Sequence, residues 1–270
     1  MAMNFVSVSG VSELEQLEGI GRVYHGEKIG FPLVIGYQVS SKSINQGTRN
    51  PRQPYFSELG MLNTLTEDYG LHTAVHYYTK DNAVIMADLE KIIDAGIEPS
   101  ATLLQLNTLP CSLEELAKIN EMGFNVIFKV AVSNKQAPQG GYAVWKGEGV
   151  QDVTSGEAAP LVSQVAERLG LIDYAMFDPS HGTNLSLDFD ENSMAMKFGK
   201  AIVNNPQLMK IGLVYAGGIK PGNVSRITRL LHASFPNRFS IDTESGVRAN
   251  DELDLGLVKE YLLGYKKALE

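Results

Sequence analysis

The sequence predicts a (β/α)8 barrel that forms one domain over residues 1–270. Short apolar or β-branched segments alternate with longer segments of helical period along the whole chain, and such alternation is typical of a parallel sheet built from βαβ units. Roughly eight strand–helix units can be counted, whereas an open doubly wound sheet usually stops at five or six strands. No change in composition and no Pro/Ser linker marks a second domain.

Eight segments carry the strand pattern. In chain order the predicted strands are residues 5–8, 33–39, 72–78, 102–106, 125–132, 174–177, 212–215 and 239–241. Helices are predicted between them at residues 84–95, 113–122, 160–169, 194–203, 224–233 and 255–269. Leu113, Leu116 and Ile119 recur at three-residue steps with charged residues between them, as expected of a helix with one buried face.

Residues that start and stop helices support these boundaries. Ser112 with Glu115 has the pattern of a capping box, and Ser12 with Glu15 predicts the same device at the first helix. Glycines stand where three helices are expected to end, at Gly96, Gly123 and Gly170.

Two connections that follow predicted strands are long, at residues 40–55 and 133–157. Long connections in a compact domain are commonly lids or binding loops, and a barrel places its active site at the C-terminal ends of its strands. Both connections are therefore predicted to contact substrate. Trp145 in the second is predicted either to stack on a ligand ring or to anchor the loop.

Composition argues against several classes of partner. The net charge of −8 and the pI near 5.2 disfavour nucleic acid, which requires a basic face. The single cysteine, Cys111, excludes an intrachain disulfide and fits a reducing cytoplasm. We find no secretory signal and no segment approaching the ~18 apolar residues of a membrane span. We expect a cytoplasmic protein without a membrane partner, either a monomer or a homodimer.

Two glycine turns mark the last two units. Gly217-Gly218 follows the seventh predicted strand and precedes a helix that starts near Pro221, and Ser245-Gly246 follows the eighth strand. Glycines let the backbone approach a ligand closely, and the loops after strands seven and eight are the usual phosphate site of such barrels. We predict a phosphate site there; the alternative is that these glycines only form tight turns.

Polar residues at strand ends are candidates for chemistry. Asp178 ends the sixth predicted strand and is predicted to be a general acid or, alternatively, to cap the next loop. His181 follows it, either as a proton shuttle or as an exposed loop residue. Lys129, inside the fifth strand, is predicted to form a Schiff base, to clamp an anion or to pair with a structural carboxylate. His72 and His76 lie too far apart along one strand to share a metal ion, so no metal site is predicted.

Six segments of the sequence are similar to segments of one enzyme family, and the last two are similar in order and spacing. They are Val8-Ser9-Gly10, Gln105-Leu106-Asn107-Thr108, Phe128-Lys129-Val130, Asp178 with Gly182-Thr183, residues 215–224 and residues 241–248. With these segments the chain resembles phosphoribosylanthranilate isomerase, a barrel enzyme of tryptophan biosynthesis, over almost its full length. The resemblance implies an Amadori rearrangement of a phosphorylated aminoaldose to an aminoketose. In that reaction a general acid protonates the furanose ring oxygen, a general base removes the C2 proton, and no cofactor or metal takes part.

The resemblance also implies roles for individual residues. Asp178 would be the acid, and Ser9 stands where the family has its base, a cysteine. A serine hydroxyl is a poor base unless a separate group accepts its proton. The implied phosphate ligands are Gly217, Gly218, Ser245, Gly246 and Thr183. The implied substrate ligands are Lys129, Gln105, Asn107, Asp242 and Arg52. Arg52 and Arg49 are both candidates to bind a substrate carboxylate.

These residues are compatible with three functions. The first is the family's aldose–ketose isomerisation. The second is a related reaction on another phosphorylated sugar, and Lys129 would matter most if that reaction were an aldolase-type cleavage. The third is a barrel that binds a phosphorylated ligand with little or no isomerase activity, because the base has been lost at Ser9.

Overall fold

Eight parallel strands close into a barrel in the computed structural model of the chain. The structure describes residues 2–108, 111–130, 132–133, 142–146, 149–153, 158–179 and 189–270. The strands are β1 (Val6–Ser9), β2 (Leu33–Ser40), β3 (His72–Tyr78), β4 (Thr102–Asn107), β5 (Asn125–Lys129), β6 (Tyr174–Phe177), β7 (Gly212–Tyr215) and β8 (Ser240–Thr243). Each strand pairs in parallel with the next along the chain, and β8 pairs with β1. The predicted (β/α)8 barrel is confirmed.

Helices follow the strands around the outside of the barrel. They are α1 (Leu14–Gly26), α2 (Ser41–Gln46), α3 (Leu59–Asp68), α4 (Ile85–Asp94), α5 (Leu113–Glu121), α6 (Ala159–Ala166), α7 (Met194–Val203), α8 (Pro221–Ser234) and α9 (Leu255–Leu269). The bounds of α7 and α9 are those predicted. Helix α4 begins later than predicted because the turn before it, Asn82–Val84, is a 3-10 helix.

Two serines are predicted to cap helices, and the structure confirms one of these predictions and shows that the other is wrong. Ser112 caps α5, where its hydroxyl accepts from the Glu115 amide at 3.2 Å and the Glu115 carboxylate accepts from the Ser112 amide at 2.6 Å. Ser12 does not cap α1. Its hydroxyl instead donates to the carbonyl of Pro51 at 2.9 Å, because the loop after α2 folds over the start of α1.

Both long connections contain more regular structure than the sequence indicates. The connection after β2 begins with α2, which is capped by the Ser40 hydroxyl. The connection after β5 contains an antiparallel sheet formed by Val132–Ser133, Tyr142–Lys146 and Gly149–Val153. The predicted strand at 125–132 therefore ends at Lys129, and its last residue, Val132, belongs to this added sheet. A β-branched run does not reveal which sheet each of its residues joins.

The inside of the barrel is apolar near the N-terminal ends of the strands and polar near their C-terminal ends. The apolar part is one cluster of buried side chains: Phe5, Val34, Ala74, Leu103, Ile127, Tyr174, Met176, Val214 and Ala216. Side chains of a strand alternate between its two faces, so the next inward positions follow in steps of two. Those positions hold Ser7, Ser9, His76, Gln105, Lys129, Asp178 and Asp242, all partly or fully buried. A second, larger core lies between the strands and the helices.

Candidate active site at the barrel mouth

The parallel strands bring most of the predicted site residues to one end of the barrel. Ser9, Gln105, Lys129 and Asp242 lie on four different strands, and Asp178 directly follows a fifth. Among the other predictions, Thr183 and His181 lie outside the described residues. Trp145 lies in the strand Tyr142–Lys146 of the added sheet.

Lys129 and Asp178 form an ion pair at the mouth. The Lys129 ammonium lies 2.6 Å from Asp178 Oδ2, and the two side chains are 14% and 11% exposed. Charges this far removed from water require a partner, and each supplies the other's. Of the predictions for Lys129, pairing with a neighbouring carboxylate is therefore what the structure shows, and that carboxylate belongs to the predicted acid.

Asp242 on β8 accepts two short hydrogen bonds from β1. The hydroxyls of Ser7 and Ser9 donate to the same oxygen, Oδ1, at 2.5 and 2.6 Å. Burial raises the pKa of Asp242 above its ordinary value, the serine hydrogen bonds lower it in part, and the charge of Asp178 raises it further. Asp242 therefore holds a proton more strongly than an exposed aspartate, and it holds Ser9 in a fixed orientation.

Gly36 on β2 makes room for Ser9 and His76. A Cβ atom at Gly36 would lie 2.3 Å from Ser9 Oγ and 3.1 Å from His76 Nε2, so any larger residue would displace both side chains. His76 is only 5% exposed. Burial lowers its pKa to about 4, while the charges of Glu244 and Asp178 oppose that shift. The imidazole is therefore neutral near pH 7.

His76 is a mouth residue that sequence reasoning considered only as a metal ligand. It lies opposite Gln105 in the register of β3 and β4, and both side chains point into the barrel. The signal that identifies it is its position, two residues beyond the inward-facing Ala74, and not its residue type.

Gln105 carries an unpaired acceptor. Its side chain is 5% exposed, and Oε1 has no hydrogen-bond partner among the described residues. Its amide nitrogen donates to Asn107 Oδ1 at 3.2 Å. A buried acceptor without a partner costs about 1–3 kcal/mol. The free Oε1 therefore suits a ligand that offers an N–H or O–H group.

The turn after β7 is held open by its glycines and by Asn223. Gly217 and Gly218 have φ values of 105° and 72°, which glycine adopts without strain. The Asn223 amide donates to the Gly218 carbonyl at 2.9 Å, and its oxygen accepts from the Lys220 amide at 2.8 Å. These bonds fix the turn at the start of α8. Pro221 has no N–H, and the amides of Asn223 and Val224 donate to the Lys220 carbonyl, so an anion at this turn would be met by the amides of the glycines.

The turn after β8 packs directly against the turn after β7. Thr243 Oγ1 donates to the Ile219 carbonyl at 2.6 Å. A Cβ atom at Gly246 would lie 2.0 Å from the same carbonyl oxygen. Gly246 is therefore needed for close approach, and the two predicted phosphate turns form one continuous surface.

Arg52 closes the mouth on the side of β8. Its guanidinium forms ion pairs with Glu244, at 2.5 Å, and with Asp251. Arg49, the other candidate for a substrate carboxylate, lies 3.9 Å from the centre of the Tyr55 ring and donates to the Gln53 carbonyl. Arg52 thus lies at the mouth, where two carboxylates balance its charge, and Arg248 lies there as well, donating to the Gly10 carbonyl.

Two further observations concern the described residues as a set. They contain no group of three or more His, Cys, Asp or Glu side chains placed to hold a metal ion. Within the same residues, no helix is both long enough and apolar enough to cross a bilayer.

Comparison with known structures finds this barrel in the isomerases that the sequence resembles. Phosphoribosylanthranilate isomerase from Thermotoga maritima matches with a TM-score of 0.58 and 16% identity, over 98% of this chain and 100% of that chain. The enzyme from Pyrococcus furiosus matches with a TM-score of 0.56 and 14% identity, over 98% and 99% of the two chains. The chain has the fold of these isomerases.

Other barrels match as well. Ribulose-1,5-bisphosphate carboxylase/oxygenase from Pyrococcus horikoshii matches with a TM-score of 0.57 and 10% identity, over 99% of this chain and 58% of that chain. No protein-family model matches the sequence, and comparison with curated proteins gives no significant match. At these identities the likeness establishes the fold, and function must be argued from the site.

Proposed function

We propose that this protein is an aldose–ketose isomerase of the phosphoribosylanthranilate isomerase type, acting on a phosphorylated aminosugar. The observation that carries the proposal is the contact between the two glycine turns, which lie at the same end of the barrel as Asp178 and Asp242. Gly217, Gly218, Ser245 and Gly246 supply backbone groups from both turns, and Thr243 joins the turns through the Ile219 carbonyl. Thr183 remains part of the proposed phosphate site.

The acid step is assigned to Asp178 with Lys129. An Amadori rearrangement begins when the furanose ring oxygen takes a proton. Asp178 lies at the mouth and takes up a proton from solvent before it acts as the acid. The Lys129 ammonium, 2.6 Å away, then stabilises the carboxylate that is left when the ring oxygen takes that proton. Gln105 and Asn107 are the proposed ligands of the sugar hydroxyls or the amine nitrogen, because Gln105 Oε1 needs a donor.

The proposed setting of the reaction follows from composition. The acidic pI and the single cysteine support a cytoplasmic enzyme with a small-molecule substrate and no nucleic-acid partner. The chemistry requires neither a cofactor nor a metal ion, because proton transfers alone interconvert the aldose and the ketose.

Turnover and binding test the proposal separately. The purified chain is expected to convert N-(5′-phosphoribosyl)anthranilate, and its gene is expected to support only weak growth of a tryptophan auxotroph that lacks the isomerase. One structure of phosphoribosylanthranilate isomerase contains reduced 1-(o-carboxyphenylamino)-1-deoxyribulose 5-phosphate. Calorimetry with that compound should detect saturable binding to this chain. Absence of both binding and turnover would refute the assignment.

A binding protein without turnover is the second candidate, and Ser9 favours it because the family's base is a cysteine. Saturable binding of the reduced analogue without conversion of the substrate would select this candidate. Ser9→Cys would then be expected to create turnover.

The structure weighs against an aldolase that uses Lys129. Its nitrogen is held as an ammonium by Asp178 at 2.6 Å, and a nucleophilic amine must first lose that proton. Incubation with borohydride and aldehyde or ketone phosphates should leave Lys129 unmodified. Detection of a covalent adduct at Lys129 would instead support the aldolase function.

A further inference from the structure

The contact between Ser9 and Asp242 supplies what a serine lacks as a base, namely a separate proton acceptor. We propose that Ser9 removes the substrate proton while passing its own hydroxyl proton to Asp242, so that the two side chains together replace the family's cysteine. This inference rests on the proposed isomerase function and adds to it the identity of the base.

The geometry for such a relay is present before substrate binds. Ser9 Oγ lies 2.6 Å from Asp242 Oδ1, a distance typical of a strong O–H···O⁻ hydrogen bond. Ser9 is fully buried, so its hydroxyl donates to the carboxylate without competition from bulk water, and substrate reaches Ser9 Oγ only when a neighbouring side chain moves aside. Gly36 leaves the space that Ser9 occupies, since a Cβ atom there would lie 2.3 Å from Ser9 Oγ.

The proton balance of the step is complete. In the opened Schiff base, the C2–H bond breaks and its proton goes to Ser9 Oγ. The O–H bond of Ser9 breaks at the same time, and that proton goes to Asp242 Oδ1. The C–H electron pair forms the C1–C2 double bond, and the electrons of the protonated C–N double bond move to nitrogen. Asp242 ends the step as a carboxylic acid. Its proton returns through Ser9 to C1, and the enol hydroxyl at C2 releases its own proton to solvent as the ketone forms.

Ser7 is a matched control for this relay. It donates to the same oxygen of Asp242 at 2.5 Å, but it lies two residues deeper on β1, away from the mouth. Ser7→Ala therefore removes support from Asp242 without removing the group that meets the substrate. A purely structural role of Asp242 would make the two serines equivalent.

The test measures kcat on N-(5′-phosphoribosyl)anthranilate and the affinity for the reduced product analogue in the same variants. Ser9→Ala and Asp242→Asn are each expected to lower kcat by about 10²–10⁴-fold, the usual effect of losing a general base, with little change in affinity. Ser7→Ala is expected to lower kcat by less than about tenfold, since it removes one supporting hydrogen bond. Circular dichroism verifies that each variant is folded.

Rescue by cysteine separates a relay from structural damage. A thiol ionises without a proton acceptor, so Ser9→Cys should retain or raise kcat. The double variant Ser9→Cys/Asp242→Asn should then be at least tenfold faster than Asp242→Asn alone. If Asp242→Asn does not fold, comparing the kcat of Ser9→Ala with that of Ser9→Cys still tests whether residue 9 removes the proton.

Three outcomes would overturn the relay: full kcat in folded Asp242→Asn, equal losses in Ser7→Ala and Ser9→Ala, or no rescue in the double variant. An unaltered chain that binds the analogue but has no turnover would also overturn it. An unaltered chain that neither binds the analogue nor turns over refutes the isomerase function itself.

Discussion

The residues at the barrel mouth differ in whether their buried polar atoms have an ion-pair or hydrogen-bond partner. Asp178 and Lys129 satisfy each other, and Asp242 is satisfied by two serines. Gln105 Oε1 is different, because no described residue donates to it. Native proteins keep few such atoms, and one inside a candidate site is explained when a ligand supplies the donor.

Replacing Gln105 tests whether that acceptor serves a ligand. Gln105→Met removes the unpaired oxygen and the N–H that donates to Asn107 while keeping the size of the side chain, so the two effects oppose and the free energy of unfolding should change by less than about 1 kcal/mol. Affinity for the reduced product analogue should fall about tenfold, as expected for the loss of one hydrogen bond. Urea denaturation and calorimetry measure the two quantities. A loss of stability with unchanged affinity would make Gln105 a structural residue.

The strands and helices of the barrel determine which residues come into contact. Prediction from sequence succeeds for the bounds of single elements and fails for contacts between elements that are distant in the chain. The bounds of β6 and β7 follow from apolar runs alone, since strands buried on both faces leave a continuous signal. The pairing of Ser9 with Asp242 joins residues 233 positions apart and depends on closure of β1 onto β8. Local patterns carry no information about such a contact.

Only part of the candidate site could be predicted from the sequence, because local patterns reveal strand ends but not the contacts made inside the closed barrel. Strand-end residues such as Asp178 and Lys129 could be found because parallel strands bring their C-terminal ends together. The inward position of His76 follows from strand alternation only once Ala74 is known to face inward. The free oxygen of Gln105 could not be found, because it depends on side-chain packing inside the closed barrel.

Glycine substitution tests the contact between the two turns. In Gly246→Ala the new methyl group would lie 2.0 Å from a backbone oxygen, so the turns must separate. We expect a loss of about 1–3 kcal/mol of stability, the usual cost of overpacking, and at least about tenfold weaker binding of the analogue. Gly26→Ala is the control, because nothing lies within 4 Å of that Cβ position. Equal behaviour of the two variants in thermal melts and calorimetry would contradict the contact.

The barrel buries ionisable side chains at one end. The free energy of unfolding of the whole molecule should therefore depend on pH. The folded-state pKa of His76 is about 4, below its ordinary value of about 6.5. Between these values the unfolded chain binds a proton that the folded chain does not, so stability should fall as pH falls from about 6.5 to about 4. The full effect is about 3 kcal/mol. Asp242, whose pKa is raised, contributes in the opposite direction.

Denaturation across this pH range isolates the contribution of His76. The unaltered chain and His76→Gln share Asp242 and every other ionisable group, so the difference between their stability curves reports the imidazole alone. We expect the difference to favour His76→Gln increasingly below pH 6.5. Parallel curves would mean that the pKa of His76 is the same in the folded and unfolded chain.

The central claim is that the turns after β7 and β8 form one phosphate site beside the acid and base groups. Titration with inorganic phosphate and ribose 5-phosphate, followed by the backbone amide resonances of Gly217, Gly218, Ser245 and Gly246, tests it most directly. We predict that these four resonances shift together and saturate at a common concentration, while those of Gly70 and Gly96 stay in place. Unshifted resonances in both turns at saturating sugar phosphate would contradict the claim.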